Sequence, residues 1–242
     1  MQENPYGLES IWTQGDLVTK SVAVLLVLMS IASWYVIIRK AMQILSYQKA
    51  AHAAGHSFWD ASHIKQGIAS LGTNNPFADV AHAGIQAMEH HNAHKGHLHN
   101  QLSVSDWITL SLRQSIDEAA GKLQAGMAVL ASVGSTAPFV GLFGTVWGIY
   151  HALVSIGLAG QTSIDKVAGP VGESLIMTAL GLAVAIPATF GYNALVRGNK
   201  SITAKLNKFG FDLHALFVTG SRTRSKTRGR GNETTNDDQT ND

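Results

Sequence analysis

Three long stretches of this chain carry no charge at all. No Asp, Glu, Lys or Arg lies between Lys20 and Arg39, between Lys122 and Asp165, or between Glu173 and Arg197. Filled mainly with Val, Leu, Ile, Ala and Gly, gaps of this length are the mark of membrane spans. Charged residues make up only 14 % of the 242-residue chain, against about 25 % in ordinary globular chains. A soluble enzyme is therefore not expected. The chain has no cysteine, which excludes both a disulfide framework and a Cys-based metal site.

The first span is expected over residues 22–38. Glu3, Glu9 and Asp16 precede it where a signal peptide would carry basic residues, and Arg39-Lys40 follow as a stop-transfer pattern. Trp34 and Tyr35 are placed for an interfacial aromatic belt. The second stretch, 123–164, is long enough for one long helix or for two spans with a turn near Gly134-Ser135-Thr136, and it contains Pro138. Charge decides between these. With three spans in all, the 39–122 loop and the tail after 196 share one face, leaving only Lys20 and Lys166 as basic residues on the other. A fourth span would export the nine basic residues of the tail, which the positive-inside rule disfavours. The N-terminus is thus expected outside and the C-terminus inside.

The third span, 172–196, contains Pro187, tolerated where neighbouring helices satisfy the freed carbonyl.

Beyond the membrane, Leu112, Ile116, Ala119, Leu123, Met127 and Leu130 form a helical stripe leading directly into the second span, with Ser105 or Asp106 as N-cap. Ile202, Leu206, Phe209, Leu213 and Leu216 form another after the third span. Gly67, Gly72, Asn74, Asn75 and Pro76 divide the loop into shorter helices. The expected fold is an all-α membrane protein with three transmembrane helices, spans two and three extending into a cytoplasmic helical bundle. Its parts are a periplasmic segment (1–21), a first span (22–38), a cytoplasmic helical loop (39–125), a second span (126–158), a periplasmic loop (159–171), a third span (172–196), a cytoplasmic helix (197–220) and a disordered tail (221–242). The tail is basic and then acidic, with no core-forming residue; its cations can meet lipid headgroups, but a solvated tail is the simpler reading. No aromatic residues interleave with those cations, so nucleic-acid binding is not expected.

Small residues recur at helical spacing within the spans. Gly134, Ala137, Gly141, Gly144 and Gly148 line one face of the second; Ser174, Thr178, Gly181, Ala185 and Ala188 line one face of the third. Lipid gives helices no hydrophobic reason to associate, so close backbone approach must hold them, and small residues permit it. Packing alone accounts for any single one of these positions. Thr145 lies beside the first seam and Thr178 on the second. Each can bond back to its own helix, yet two hydroxyls beside such faces suggest a polar seam where water or a proton donor is held. Glu173 is the only acid between Lys166 and Arg197. At a helix N-terminus it is favoured by the macrodipole; near hydrocarbon it suggests an ion pathway or a buried partner. Both readings stand.

Five of the eleven histidines fall in Glu89–His99. The spacings of His90, His91 and His94 permit a zinc or nickel site, but Gly96 interrupts a helix there and the order HExxH is absent, so an exposed loop is favoured. His151 reads as an interfacial polar residue. Neither a nucleophile elbow, a P-loop nor a dinucleotide fingerprint is present, and no cofactor is expected.

The run APFVGLFGTVWGI, Ala137 to Ile149, resembles the core motif of the ExbB/TolQ/MotA proton-channel family. The run GPVGESLIMTALGLAVAIPA, Gly169 to Ala188, resembles its third-span block. Where the family usually has a small-Ile-small triplet before the acid, this chain has Val171-Gly172, which stays small. The resemblance is strongest to the ExbB branch of the TonB–ExbB–ExbD system, with TolQ close. It implies a homo-oligomer, a pentamer in the family, in the bacterial inner membrane, enclosing an ExbD-like single-span partner that carries the titrating Asp. Thr145 and Thr178 match the family's pore-lining hydroxyls, and Glu173 matches its outer-pore acid. Proton flow would turn the partner, and a TonB-like protein would carry the work to receptors for siderophore iron, haem or vitamin B12. A TolQ-like role, a passive scaffold and a metal transporter using the His loop are the alternatives.

Overall fold

The computed structural model describes residues 16–61, 63–72, 75–93, 103–159 and 164–220. The expected tail from 221 onward and the histidines from His94 to His99 lie outside these, as do Asn74 and Gly96. Within them the regular elements are all helices: α1 (Leu17–His56), α2 (Ile64–Leu71), α3 (Pro76–Ala93), α4 (Val104–Gln124), α5 (Met127–Ala159) and α6 (Ile164–Thr219).

Local chemistry sets their ends. Asp16 caps α1, its carboxylate accepting from the Thr19 amide at 2.8 Å. Buried Asn75 serves two helices: its Nδ2 donates to the Leu71 carbonyl closing α2, and its Oδ1 accepts from the Phe77 amide opening α3. Pro76 then occupies the first helical position, where a missing N–H costs nothing. The N-cap of α4 is Ser103, not Ser105 or Asp106. Its hydroxyl accepts from the Asp106 amide and donates to the Asp106 carboxylate, a reciprocal cap that needs an acid three residues on.

Two of the helices run differently from the sequence-based expectation. Rather than leading directly into the second span, α4 ends at Gln124, and Gly126, at φ +82°, turns the chain into α5. The apolar stripe stays in phase across this break, so spacing alone does not show it. The first helix continues past Arg39-Lys40 to His56, about 60 Å at 1.5 Å per residue. The long second stretch forms one helix through Pro138, with no turn at Gly134-Ser135-Thr136.

Helices α1, α5 and α6 pack side by side as a membrane block around Val22, Leu26, Val133, Ala137, Met177, Val184, Ala185 and Ala188. Its outer surface is apolar too: Leu28 and Ile31 on α1, Phe139 and Val146 on α5, and Ile186 and Phe190 on α6 are all exposed. Helices this apolar on their outward faces belong in lipid or against other membrane helices. Three helices are long and apolar enough to cross a membrane, and the chain is an all-α membrane protein.

The other end of α1 and α6 joins α2, α3 and α4 in an extramembrane bundle. All six residues of the Leu112–Leu130 stripe are buried. Phe209 of α6 sits at the centre, edge-on to Phe58 at 5.2 Å and to Phe77 at 5.5 Å. Ile44, Met127, Leu130 and Leu195 pack where the two blocks meet.

Candidate functional site

The small-residue faces of α5 and α6 lie against each other. A Cβ added at Gly141 would stand 2.5 Å from the Met177 carbonyl oxygen and 3.0 Å from the Gly181 Cα; one at Gly181 would stand 2.6 Å from the Ala137 carbonyl oxygen. Neither position has room for a side chain, so the two backbones touch. Towards the bundle, Gly134 faces Thr189; in the other direction, Gly144 faces the Met177 and Val22 side chains, and Gly148 meets Ser174. Ala185 is buried in the same block, and Pro187 is half-buried within the unbroken α6.

This approach brings two hydroxyls together. Thr145 Oγ1 lies 2.6 Å from Thr178 Oγ1, 2.9 Å from the Ser174 carbonyl and 3.2 Å from the Gly141 carbonyl. Thr145 is 6 % exposed, and Thr178 is half-buried. Each hydroxyl has one proton and two lone pairs, which leaves two arrangements. If Thr145 donates to a carbonyl, Thr178 donates to Thr145 and offers only lone pairs to its surroundings. If Thr145 donates to Thr178, the Thr178 proton is free to donate elsewhere. The pair can therefore meet a neighbouring group as acceptor or as donor, without moving either backbone. That is the chemistry a proton relay needs from groups that do not themselves ionise.

Glu173 precedes Ser174 on α6; its side chain lies outside the described residues, as do the side chain of His91 and all of His94. His90 is exposed on the last turn of α3, stacked on Trp107 of α4 at 6.0 Å. It belongs to the extramembrane bundle, away from the hydroxyl pair. Among the described residues, no group of three His, Asp or Glu side chains is placed to hold a metal ion.

Comparison with known proteins bears on this site directly. The model of the MotA/TolQ/ExbB proton channel family matches residues 73–208, which include both threonines of the pair. The chain is 46 % identical over 209 residues to the biopolymer transport protein ExbB of Xanthomonas campestris, covering 84 % of this chain and 83 % of that protein. It is 37 % identical over 213 residues to the protein of the same name from Neisseria meningitidis, covering 87 % and 97 %. The Tol-Pal system protein TolQ of Pseudomonas aeruginosa is 28 % identical over 223 residues, covering 89 % and 96 %. The chain belongs to the MotA/TolQ/ExbB proton channel family.

In this family member the structure adds two polar contacts that the sequence did not signal. Towards the end of α5 remote from the extramembrane bundle, Trp147 Nε1 donates to the second carboxylate oxygen of Asp16 at 2.6 Å, tying the start of α1 to α5. Burial alone would raise the Asp16 pKa. The Trp147 and Thr19 hydrogen bonds, with the charge of His151, outweigh it and hold the carboxyl below the usual range. At the opposite end, Lys40 is buried at the break between α4 and α5. Its burial, and then the positive charge of Arg39, pull its ammonium below the usual lysine range. An N-cap Asp before an apolar run is recognisable in a sequence, but a partner 131 residues away is not. Nor does a lysine after a span announce that it turns inward.

Proposed function

We propose that this chain is the multi-helix subunit of an ExbB-type proton-driven motor in the bacterial inner membrane. The carrying observation is the Thr145–Thr178 hydroxyl pair, one member buried and the other half-buried, where two glycine-lined helices touch. The chain assembles as a homo-oligomer, a pentamer, with the N-terminus periplasmic and the C-terminus cytoplasmic. Sixteen of its eighteen basic residues then lie on the cytoplasmic side, which supports that orientation. The exposed apolar faces of α5 and α6 supply the surface for neighbouring copies and for a single-span, ExbD-like partner. That partner brings the titrating carboxyl; Thr145 and Thr178 hydrate it or hydrogen-bond to it, and Glu173 stands at the outer mouth. Proton passage drives a TonB-like protein and so powers import of siderophore iron, haem or vitamin B12.

The match to TolQ keeps the Tol-Pal role as the second reading. One experiment separates them. The chain, with its cognate single-span partner, is expressed in a host lacking its own ExbB and TolQ. Restored growth on siderophore-bound iron is the expected result. Repair of detergent sensitivity without iron growth would assign the TolQ role, and repair of neither would contradict both.

A further inference from the structure

The break between α4 and α5 is held by two side chains from other helices, and both are costly choices. The last carbonyls of α4 have no intrahelical donor. Gly121 O is taken by the Ala125 amide as the chain turns. Lys40 of α1 reaches across and donates to Lys122 O at 2.8 Å and Leu123 O at 3.2 Å; its third proton goes to Gln43 Oε1 at 2.9 Å. Asn199 of α6 donates to Leu123 O at 2.9 Å. Lys40 is 9 % exposed and spends its charge on uncharged oxygens at a helix C-terminus, where the dipole favours a cation. Asn199, 7 % exposed, keeps its Nδ2 on Leu123 although its buried Oδ1 finds no donor among the described residues. Water or a helix-ending glycine motif would cap α4 with neither burden.

What the clamp does fix is a register. Asn199 and Thr178 share the unbroken α6, and Thr145 lies on the helix that begins just past the clamped carbonyls. A slip of one residue between α5 and α6 is about 1.5 Å, enough to break the 2.6 Å contact between the hydroxyls. We infer that Lys40 and Asn199 are positioning residues that hold the start of α5 in register with α6, so that Thr145 and Thr178 meet. That this register serves proton passage rests on the proposed function; the register itself does not.

The chain has no cysteine, so an engineered pair can report it. A Cβ at Gly134 would lie 3.6 Å from the Thr189 Cα, which puts Gly134→Cys and Thr189→Cys within disulfide reach. In membranes containing the full chain and its partner, this pair cross-links in the parent. Lys40→Gln and Asn199→Leu each reduce the yield per inserted chain about fivefold or more, by stripping donors from buried carbonyls. Lys40→Arg, which keeps the charge and the reach, retains most of it. Asn199→Leu leaves the lysine cap in place and carries the test if Lys40→Gln does not accumulate. Unchanged yield in the neutral variants, or equal loss in Lys40→Arg and Lys40→Gln, overturns the inference. With an added thiol oxidant taking the two electrons of each cross-link, the yield reads the register and not proton transport across the membrane, so it fails independently of the motor assignment.

Discussion

Thr145 and Gly181 set opposite limits on what this seam tolerates. Thr145→Val keeps the side chain's volume but removes the bonds to Ser174 O and Thr178, a loss of about 1 kcal/mol for a neutral hydrogen bond. Such a chain is expected to insert and assemble at normal levels and to fail in iron-dependent growth, while Thr145→Ser supports growth. Equal growth of the Val and Ser variants would remove the hydroxyl from the mechanism. Gly181→Ala presses a methyl into the Ala137 carbonyl at 2.6 Å. Overpacking of this kind costs about 1–3 kcal/mol, so the thermal midpoint of the purified protein should fall. Gly157→Ala, on the same pair of membrane helices but with nothing within 4 Å of the new methyl, should leave it unchanged. Residue spacing showed which positions share a face. It did not show that the face containing Gly141 meets the face containing Gly181, because periodicity fixes a direction on one helix and says nothing of its partner.

At the scale of elements, the helices were legible wherever an apolar stripe had a clear period, as in α4 and the end of α6. Their joints were not. The stripe from Leu123 to Met127 runs on in phase through Gly126, and only a backbone at φ +82° reveals the turn. Gly126→Ala forces an L-residue into that conformation at a cost of about 1 kcal/mol, with a lower thermal midpoint as the expected reading. The start of α1 depends on pH. Asp16 has a folded pKa below its unfolded one, so its contribution is fully present above about pH 4, the ordinary carboxylate value, and is lost as pH falls through the folded value. Stability measured from pH 7 downward should therefore show an acid limb that is smaller in Asp16→Asn. An identical limb in both proteins would show that the Trp147 contact does not select the ionised carboxylate.

For the whole molecule, charge placement in the sequence was the most informative signal, since three uncharged stretches leave few folds other than a membrane helix bundle. Shape was less accessible. At 56 residues, α6 is about 84 Å long, far beyond a hydrocarbon core of about 30 Å. It joins the membrane block to the bundle centred on Phe209 as one continuous rod. Within this rod Asn199 holds the last turn of α4 and Gly181 touches α5; on the proposed function, the rod thereby keeps Thr178 beside Thr145 for the proton. The measurement closest to that account is proton flux into liposomes carrying the chain with its cognate single-span partner, comparing wild type, Thr178→Ser and Thr178→Val at equal amounts of assembled complex. Flux is expected to persist in wild type and Thr178→Ser and to fall about a hundredfold in Thr178→Val, the lower end of what a positioned proton-transfer group contributes. Undiminished flux in Thr178→Val would contradict the account and leave the α5–α6 seam as a packing surface alone.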